Sequence, residues 1–285
     1  MAAASELLGL RRYVKELRRA GRAQPLVEVM QRTWNAGKNV RDFVHSRTAL
    51  AGFQDATRGK NYTELVDVVL NGFGRVLAPI QSPNELARWI QRVSVAKPKV
   101  VVEIGTAKGG TFFLLSRASD QAATLISIDL PGGLYGGGYP LWKQDFFRKL
   151  IGAEKTVHFI RANSHDLQTR TQLEAILGDR KIDVLFIDGD HSYEGVRHDF
   201  WLYGPLVRPG GLIGLHDILE NRFDKDIDVS RFWNEIKGRF VVEEIVDRAD
   251  QGVFGIGVVI VPEAGVSGGN GERHSVARER RGPSN

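Results

Sequence analysis

From residue 83 onward the chain alternates between two hydrophobic periods. Short apolar runs occur at Val100–Ile104, Thr124–Ile128, Val157–Arg161, Val184–Ile187 and Leu212–Leu215. Each is too short for an ordinary helix and is dominated by Val, Ile and Leu, the mark of strands buried on both faces. Segments with helical periodicity separate them: Glu85–Val95 before the first run, then Thr111–Arg117, Leu141–Ile151, Leu167–Leu177 and Tyr193–Leu206. This alternation predicts βαβ units and therefore a doubly wound α/β fold, a mostly parallel sheet covered by helices on both faces. In such sheets ligands bind beyond the carboxyl ends of the strands.

The last part of the pattern departs from simple alternation. After a helix at Ser230–Lys237, the runs Phe240–Val246 and Phe254–Val261 are separated only by the polar stretch Asp247–Gln251. That gap suits a hairpin and not a crossover helix, so one antiparallel strand joins the sheet. Upstream, Leu7, Leu10, Val14 and Leu17 recur at helical spacing within Glu6–Arg19, with Arg11, Arg12, Lys15, Arg18 and Arg19 on the other faces. This predicts a basic amphipathic helix ending near Gly21 and Pro25. Val27–Tyr62 reads as irregular or weakly helical. Glu263–Asn285, rich in Gly, Ser, Glu and Arg with almost no large apolar residue, reads as a disordered tail. The expected division is a mainly helical extension over 1–78, the α/β domain over 79–262 and the tail over 263–285.

Composition narrows the chemistry. The 285 residues are 42% hydrophobic, as in an ordinary globular protein, and contain no cysteine. Disulfides, thiolate metal sites and cysteine nucleophiles are thereby excluded, which leaves carboxylates and seven histidines as metal ligands. The net charge of +5 is uneven. Met1–Lys60 holds twelve Lys/Arg against five Asp/Glu, a balance of +7, so −2 remains for everything after it. The α/β part therefore offers no electrostatic footprint for nucleic acid. The longest apolar run, Gly252–Val261, falls well short of the roughly 18 residues of a spanning helix. Met1–Leu10 lacks a basic stretch followed by an apolar core and cleavage site, so a cytoplasmic location is the expectation. The stripe of Leu7, Leu10, Val14 and Leu17 suits a helix packed on its own domain, a homo-oligomer contact or a membrane-surface helix.

Two constellations carry candidate chemistry. The first is Glu103-Ile104-Gly105-Thr106-Ala107-Lys108-Gly109-Gly110-Thr111, a strand end, a glycine turn and a helix start, followed one βα unit later by Asp129 at the next strand end. Gly105 allows close backbone approach to a ligand, and the helix start favours anionic or polar groups. A nucleotide-like ligand would present ribose hydroxyls to Asp129, while Glu103 orders the loop or meets a cationic group. The second is Asp188-Gly189-Asp190-His191-Ser192 together with His216-Asp217, delivered by neighbouring strands to the same edge. A divalent cation is one way to satisfy so many ionisable groups. Plainer roles stand beside these: Asp190 capping the helix near Ser192, His191 as a satisfied structural histidine, Asp217 capping a turn. The glycine-rich stretch from Pro131 to Trp142, with Tyr135, Tyr139 and Trp142, reads either as a lid over the ligand or as a surface connection with its aromatic residues tucked into the core.

On these residues the sequence resembles class I S-adenosylmethionine-dependent methyltransferases, and among them a bacterial group similar to macrolide-sugar O-methyltransferases and cephalosporin-hydroxylase-like proteins. The resemblance covers roughly Pro79 to Val261 and is most specific from Asp188 through Gly211 to Asp217. It implies a seven-stranded sheet with the last strand antiparallel. It further implies a methionine-side loop from Glu103, Gly105, Thr106 and Gly109, a ribose held by Asp129, an adenine near Asn163-Ser164-His165, and Asp188 at the cofactor side. Ala107 stands where the middle glycine of the fingerprint often lies. The resemblance also implies Mg²⁺ held by Asp188, His216 and Asp217, with histidine at a position usually occupied by an acid. The expected reaction is methylation of a hydroxyl on a small molecule, a sugar or secondary metabolite, with His191 as general base and His216 as the second choice. A non-methylating relative on the same fold, such as a hydroxylase-like or metal-binding protein, is the alternative. An NAD(P)-dependent oxidoreductase fits less well, because it needs a G-x-G-x-x-G turn. Nucleic-acid methylation is opposed by the charge balance and by the absence of an Asn/Asp-Pro-Pro-aromatic motif.

Overall fold

The computed structural model describes residues 52–131 and 138–266, together with positions 37, 40–44, 46 and 50. The amphipathic helix expected at Glu6–Arg19, residues 132–137 of the glycine-rich stretch and residues 267–285 of the expected tail lie outside the described residues.

Seven strands form one sheet: β1 Val100–Ile104, β2 Thr124–Ile128, β3 Thr156–Ile160, β4 Ile182–Ile187, β5 Val207–His216, β6 Val241–Ile245 and β7 Ile256–Ile260. Their order is β3-β2-β1-β4-β5-β7-β6, and β7 runs antiparallel to both of its neighbours. The sheet is thus the mostly parallel, doubly wound one that the hydrophobic pattern and the terminal hairpin predict. Every residue of the central strands β1 and β2 is buried. The outer strands β3 and β6 are half exposed, which accounts for the one-residue offset between their predicted and observed bounds.

The helices are α1 Tyr62–Asn71, α2 Pro83–Ala96, α3 Gly110–Ala118, α4 Trp142–Ile151, α5 Leu167–Leu177, α6 Tyr193–Tyr203 and α7 Val229–Ile236. On one face of the sheet α1 to α4 pack through Leu65, Val69, Trp89, Phe112 and Phe147. On the other, α5 to α7 pack through Leu173, Phe200, Phe232 and Trp233. The first layer runs across the boundary expected after residue 78, because Phe53, Val66, Val76 and Leu77 share its core with Trp89 and Phe112. Helix α1 goes beyond the sequence expectation. A reciprocal capping box starts it, in which Asn61 Oδ1 accepts from the Glu64 amide and Glu64 Oε2 accepts from the Asn61 amide, both at 3.0 Å.

Among the elements whose bounds shift, two have a clear physical cause. Strand β5 begins at Val207, because Gly210 and Gly211 exchange backbone hydrogen bonds with Val261 and carry the ladder through the Pro-Gly-Gly stretch. The helix predicted over Tyr193–Leu206 ends at Tyr203 and tightens into a 3₁₀ turn at Gly204–Leu206, where Pro205 cannot donate to the helical ladder. Among the described residues no helix is long and apolar enough to cross a membrane.

Candidate functional site

The carboxyl ends of β1, β2, β4 and β5 lie side by side and deliver the two constellations to one edge of the sheet. After β1 the chain turns sharply at Gly105, whose φ of +92° suits glycine. The close approach it allows is to the chain itself. A Cβ there would stand 2.1 Å from the Asp188 carbonyl oxygen, and the two strand ends are laced by Asp188 N donating to Ile104 O at 2.8 Å. Gly109, at φ +87°, starts α3 with its Cα against the Phe147 ring. Thr106 shares a hydroxyl hydrogen bond with Ser127 at 2.7 Å, and Ser127 shares another with Tyr139 at 3.0 Å. Tyr139 is buried against Phe147 and Phe159. It therefore belongs to the core and does not cover a ligand, whereas Tyr135 lies outside the described residues. Trp142 is half-buried beside Phe43 and Phe146.

Ala107 takes a left-handed backbone at φ +45°, the conformation a glycine would hold without strain. In that pose its amide donates to Asp129 Oδ2 at 2.6 Å, so the loop after β1 is tied to the end of β2. Burial pushes the Asp129 carboxyl up to about 6, with the Ala107 amide, Arg161 and Lys143 opposing the rise. Glu103, wholly buried at the end of β1, is raised well above the ordinary value by burial and by the neighbouring Asp188 and Asp129 charges, against an opposing hydrogen bond from Thr106. Its Oε2 has no hydrogen-bond partner among the described residues. A buried carboxylate oxygen without a partner is costly, and a cationic ligand group would satisfy it.

The second constellation is a compact group of two histidines and two aspartates. His191 Nδ1 lies 2.7 Å from Asp217 Oδ2, and its Nε2 lies 3.8 Å from Asp188 Oδ1. His216 Nδ1 lies 3.0 Å from Asp188 Oδ1 and 3.4 Å from Asp217 Oδ2. Burial would lower both imidazoles, but the facing carboxylates outweigh it, raising His191 and lifting His216 well above the usual value. Burial would likewise raise Asp217, yet the His216 charge and hydrogen bonds from both histidines hold it below the usual carboxylate range. Asp217 itself sits at φ +65°, the left-handed region.

Asp188, His191 and His216 each offer a ligand atom within 4.8 Å of the others; of the expected set, Asp217 meets His191 through Oδ2 and keeps a buried Oδ1 without a partner among the described residues. The expected set Asp188, His216 and Asp217 brings one imidazole nitrogen, and the group with His191 brings two. Mg²⁺ favours an octahedron of oxygens, so neither donor set fits it well. Asp190 also stands apart: its Oδ1 accepts from the Ser192 amide at 2.9 Å, while Ser192 itself caps α6.

The remaining predicted residues lie beyond β3. Asn163 Oδ1 accepts from the His165 amide at 3.1 Å, and the Ser164 carbonyl accepts from the Tyr203 hydroxyl at 2.5 Å. Two functional neighbours were missed by sequence reasoning. Gln81, buried just before α2, donates through Nε2 to Asp188 Oδ2 at 2.7 Å and faces Thr111 of α3 at 3.5 Å. Lys143 is buried on α4 and donates to the carbonyls of Val76 at 3.0 Å and Lys108 at 3.1 Å, holding the glycine turn from below. Neither carries a local sequence signal, since each reaches its partner from a distant part of the chain.

Comparison with known proteins gives this edge a context. Residues 102–218, from β1 to just past β5, match a family model described as a methyltransferase domain. The chain is 34% identical over 126 residues to an uncharacterized protein of Acanthamoeba polyphaga mimivirus, a match covering 44% of this chain and 54% of that one. It is 32% identical over 93 residues to the demethylmacrocin O-methyltransferase of Streptomyces fradiae, covering 29% of this chain and 23% of that enzyme. The matches thus span about half the length of the first relative and under a quarter of the second. Among solved structures, a candidate O-methyltransferase from Klebsiella pneumoniae superposes with a TM-score of 0.50 at 19% identity, covering 82% of this chain and 99% of that one, and so shares the fold.

Proposed function

We propose that this protein binds S-adenosylmethionine and transfers its methyl group to a hydroxyl of a small molecule, a sugar or secondary metabolite, a reading supported by the match of residues 102–218 to a methyltransferase-domain family model. The observation that carries the reading is the pair of buried carboxyls, Glu103 and Asp129, flanking one glycine turn at the sheet edge. The Glu103 oxygen without a partner suits the ammonium of the methionine part. Asp129 suits the ribose hydroxyls, Gly105, Thr106 and Gly109 shape the turn between them, and Asn163 with Ser164 lies toward the adenine. Leu130, directly after Asp129 and 47% exposed, offers an apolar wall for the base.

The cofactor supplies an electrophilic methyl on a sulfonium. The chain must then align the acceptor oxygen with it and take up the acceptor proton. We assign the proton to His191 Nε2. Asp217 grips Nδ1 at 2.7 Å, which fixes the ring and stabilises the imidazolium that forms. Gln81 and His216 hold Asp188, which faces Nε2, so the ring works within a braced frame. Because the Mg²⁺ donor set does not fit, no step is assigned to that ion.

Calorimetric titration of the purified protein with S-adenosylmethionine, with NAD as control, tests the reading. Micromolar binding of the first and none of the second is expected, followed by label transfer from methyl-labelled donor to a panel of hydroxylated acceptors. Binding of NAD alone would overturn it.

A further inference from the structure

Away from the residues assigned to the reaction, the structure buries a second pair of titratable groups that the chemistry above does not use. Asp199, on the inward face of α6, is fully buried, and its carboxylate has the Ser164 side chain beside it but no hydrogen bond of good geometry among the described residues. His165 Nε2, also buried and without a partner, stands 3.7 Å from Asp199 Oδ1. Burial pushes the Asp199 carboxyl up to about 7, with the Ser164 side chain opposing and Asp190 adding to the rise. Burial and the adjacent His198 lower His165. An apolar side chain at position 199 would cost the fold less than a carboxyl this deeply buried with only the Ser164 side chain to meet it.

The rest of the 163–165 loop is held with unusual completeness. The Asn163 carbonyl accepts from Thr169 Oγ1 at 2.7 Å, the Ser164 carbonyl from the Tyr203 hydroxyl at 2.5 Å, and the His165 carbonyl from His198 Nε2 at 3.2 Å. Three consecutive carbonyls are thus anchored by side chains of α5 and α6. Within this frame the His165 ring, its side chain 29% exposed, lies at the surface end of a contact that stops just short of a hydrogen bond. We propose that Asp199 is a positioning residue for the cofactor: through His165 it fixes the loop at Asn163-Ser164 for the nucleoside base, the 3.7 Å contact closing to a hydrogen bond when the base is bound. The inference rests on the cofactor reading given above, and it adds to that reading a residue no part of which touches the ligand.

The test is calorimetry with S-adenosylhomocysteine on the full chain and its Asp199→Leu, Asp199→Asn, His165→Ala and Asp199→Leu/His165→Ala variants, together with thermal melting and the imidazole NMR signals of His165. Asp199→Leu should weaken binding about tenfold or more without lowering Tm, because it removes the hydrogen bond that closes on binding and a buried polar group together. Asp199→Asn should recover most of the affinity, since the amide can still bond Nε2. His165→Ala should weaken binding to the same extent, and the double variant should lose no more than either single one. The His165 signals should shift on ligand addition in the wild type but not in Asp199→Leu. If Asp199→Leu does not fold, the His165→Ala affinity and the wild-type NMR shift still decide the matter. Wild-type affinity in His165→Ala or Asp199→Leu, a Tm loss that accounts for the weaker binding, or additive losses in the double variant would overturn the proposal. A wild type that binds no S-adenosylhomocysteine would overturn the cofactor reading itself, and this inference with it.

Discussion

Asp129 ties cofactor affinity to pH in a way that can be worked out in advance. Its carboxyl is raised to about 6 by burial, so it changes charge inside a range where the fold can be studied. Only the ionised carboxylate can accept from both ribose hydroxyls while keeping the Ala107 amide at 2.6 Å. At pH 7.5 nearly all of it is charged, and at pH 5 only about a tenth is, so affinity for S-adenosylhomocysteine should fall roughly tenfold between them, or about 1.4 kcal/mol. The sign is fixed: affinity is full above the raised value and is lost as pH falls through it. Asp129→Asn should bind more weakly at pH 7.5 by about 1.5–3 kcal/mol, roughly 12- to 150-fold, and should lose the step near pH 6. Glu103 and Asp199 are raised as well, so pH dependence that survives in the Asn variant belongs to those carboxyls. Calorimetric titrations at half-unit intervals supply the comparison. If Asp129→Asn keeps the wild-type slope between pH 5 and 7.5, Asp129 does not hold the ribose.

Other perturbations separate the structural from the chemical roles. Gly105→Ala drives a Cβ to 2.1 Å from the Asp188 carbonyl in a backbone region closed to L-residues, and should cost about 3 kcal/mol or more in urea unfolding; a wild-type midpoint would show that the strand ends can part freely. Ala107→Gly relieves a left-handed alanine, and the strain lost outweighs the entropy gained by the unfolded chain, so Tm should rise by about 2 °C with cofactor affinity little changed. A fall in Tm would mean that the alanine methyl packs usefully. Asp217→Asn removes the carboxylate that raises His191. The rising limb of activity, which needs neutral His191, should therefore move to lower pH, while the plateau falls about a hundredfold; a limb that stays in place would exonerate His191 as the base.

How much of this was legible in the chain depends on how local each feature is. Strands β1 and β2 match their predicted bounds because five consecutive buried residues leave no ambiguity of period. At the sheet margin β3 and β6 blur, since half-exposed strands mix polar and apolar positions. The pattern Asn61-Tyr62-Thr63-Glu64 is itself a capping-box signature, so α1 could have been found by cap chemistry where periodicity was weak. The convergence of Glu103, Asp129, Asp188, His216 and Asp217 was legible for a topological reason: a parallel sheet brings its strand ends to one edge, and each of these residues lies within one position of a strand's carboxyl end.

Residues that act across layers follow another logic. Gln81 reaches Asp188 across 107 positions, and Lys143 reaches Val76 across 67. Asp199 lies within Arg197-His198-Asp199, a polar triplet that reads as the solvated face of an amphipathic helix. Its burial becomes visible only when α6 is laid on the sheet with Val196 and Phe200 turned into the core beside it. The two buried His–Asp pairs therefore differ in kind. His191 and Asp217 come from adjacent strand ends, are bonded at 2.7 Å and form a preset acid–base unit. His165 and Asp199 come from a loop and a helix, stop at 3.7 Å, and have room to respond to what the loop binds. A pair already closed can set a pKa, whereas a pair held just open can couple a distant carboxyl to a ligand.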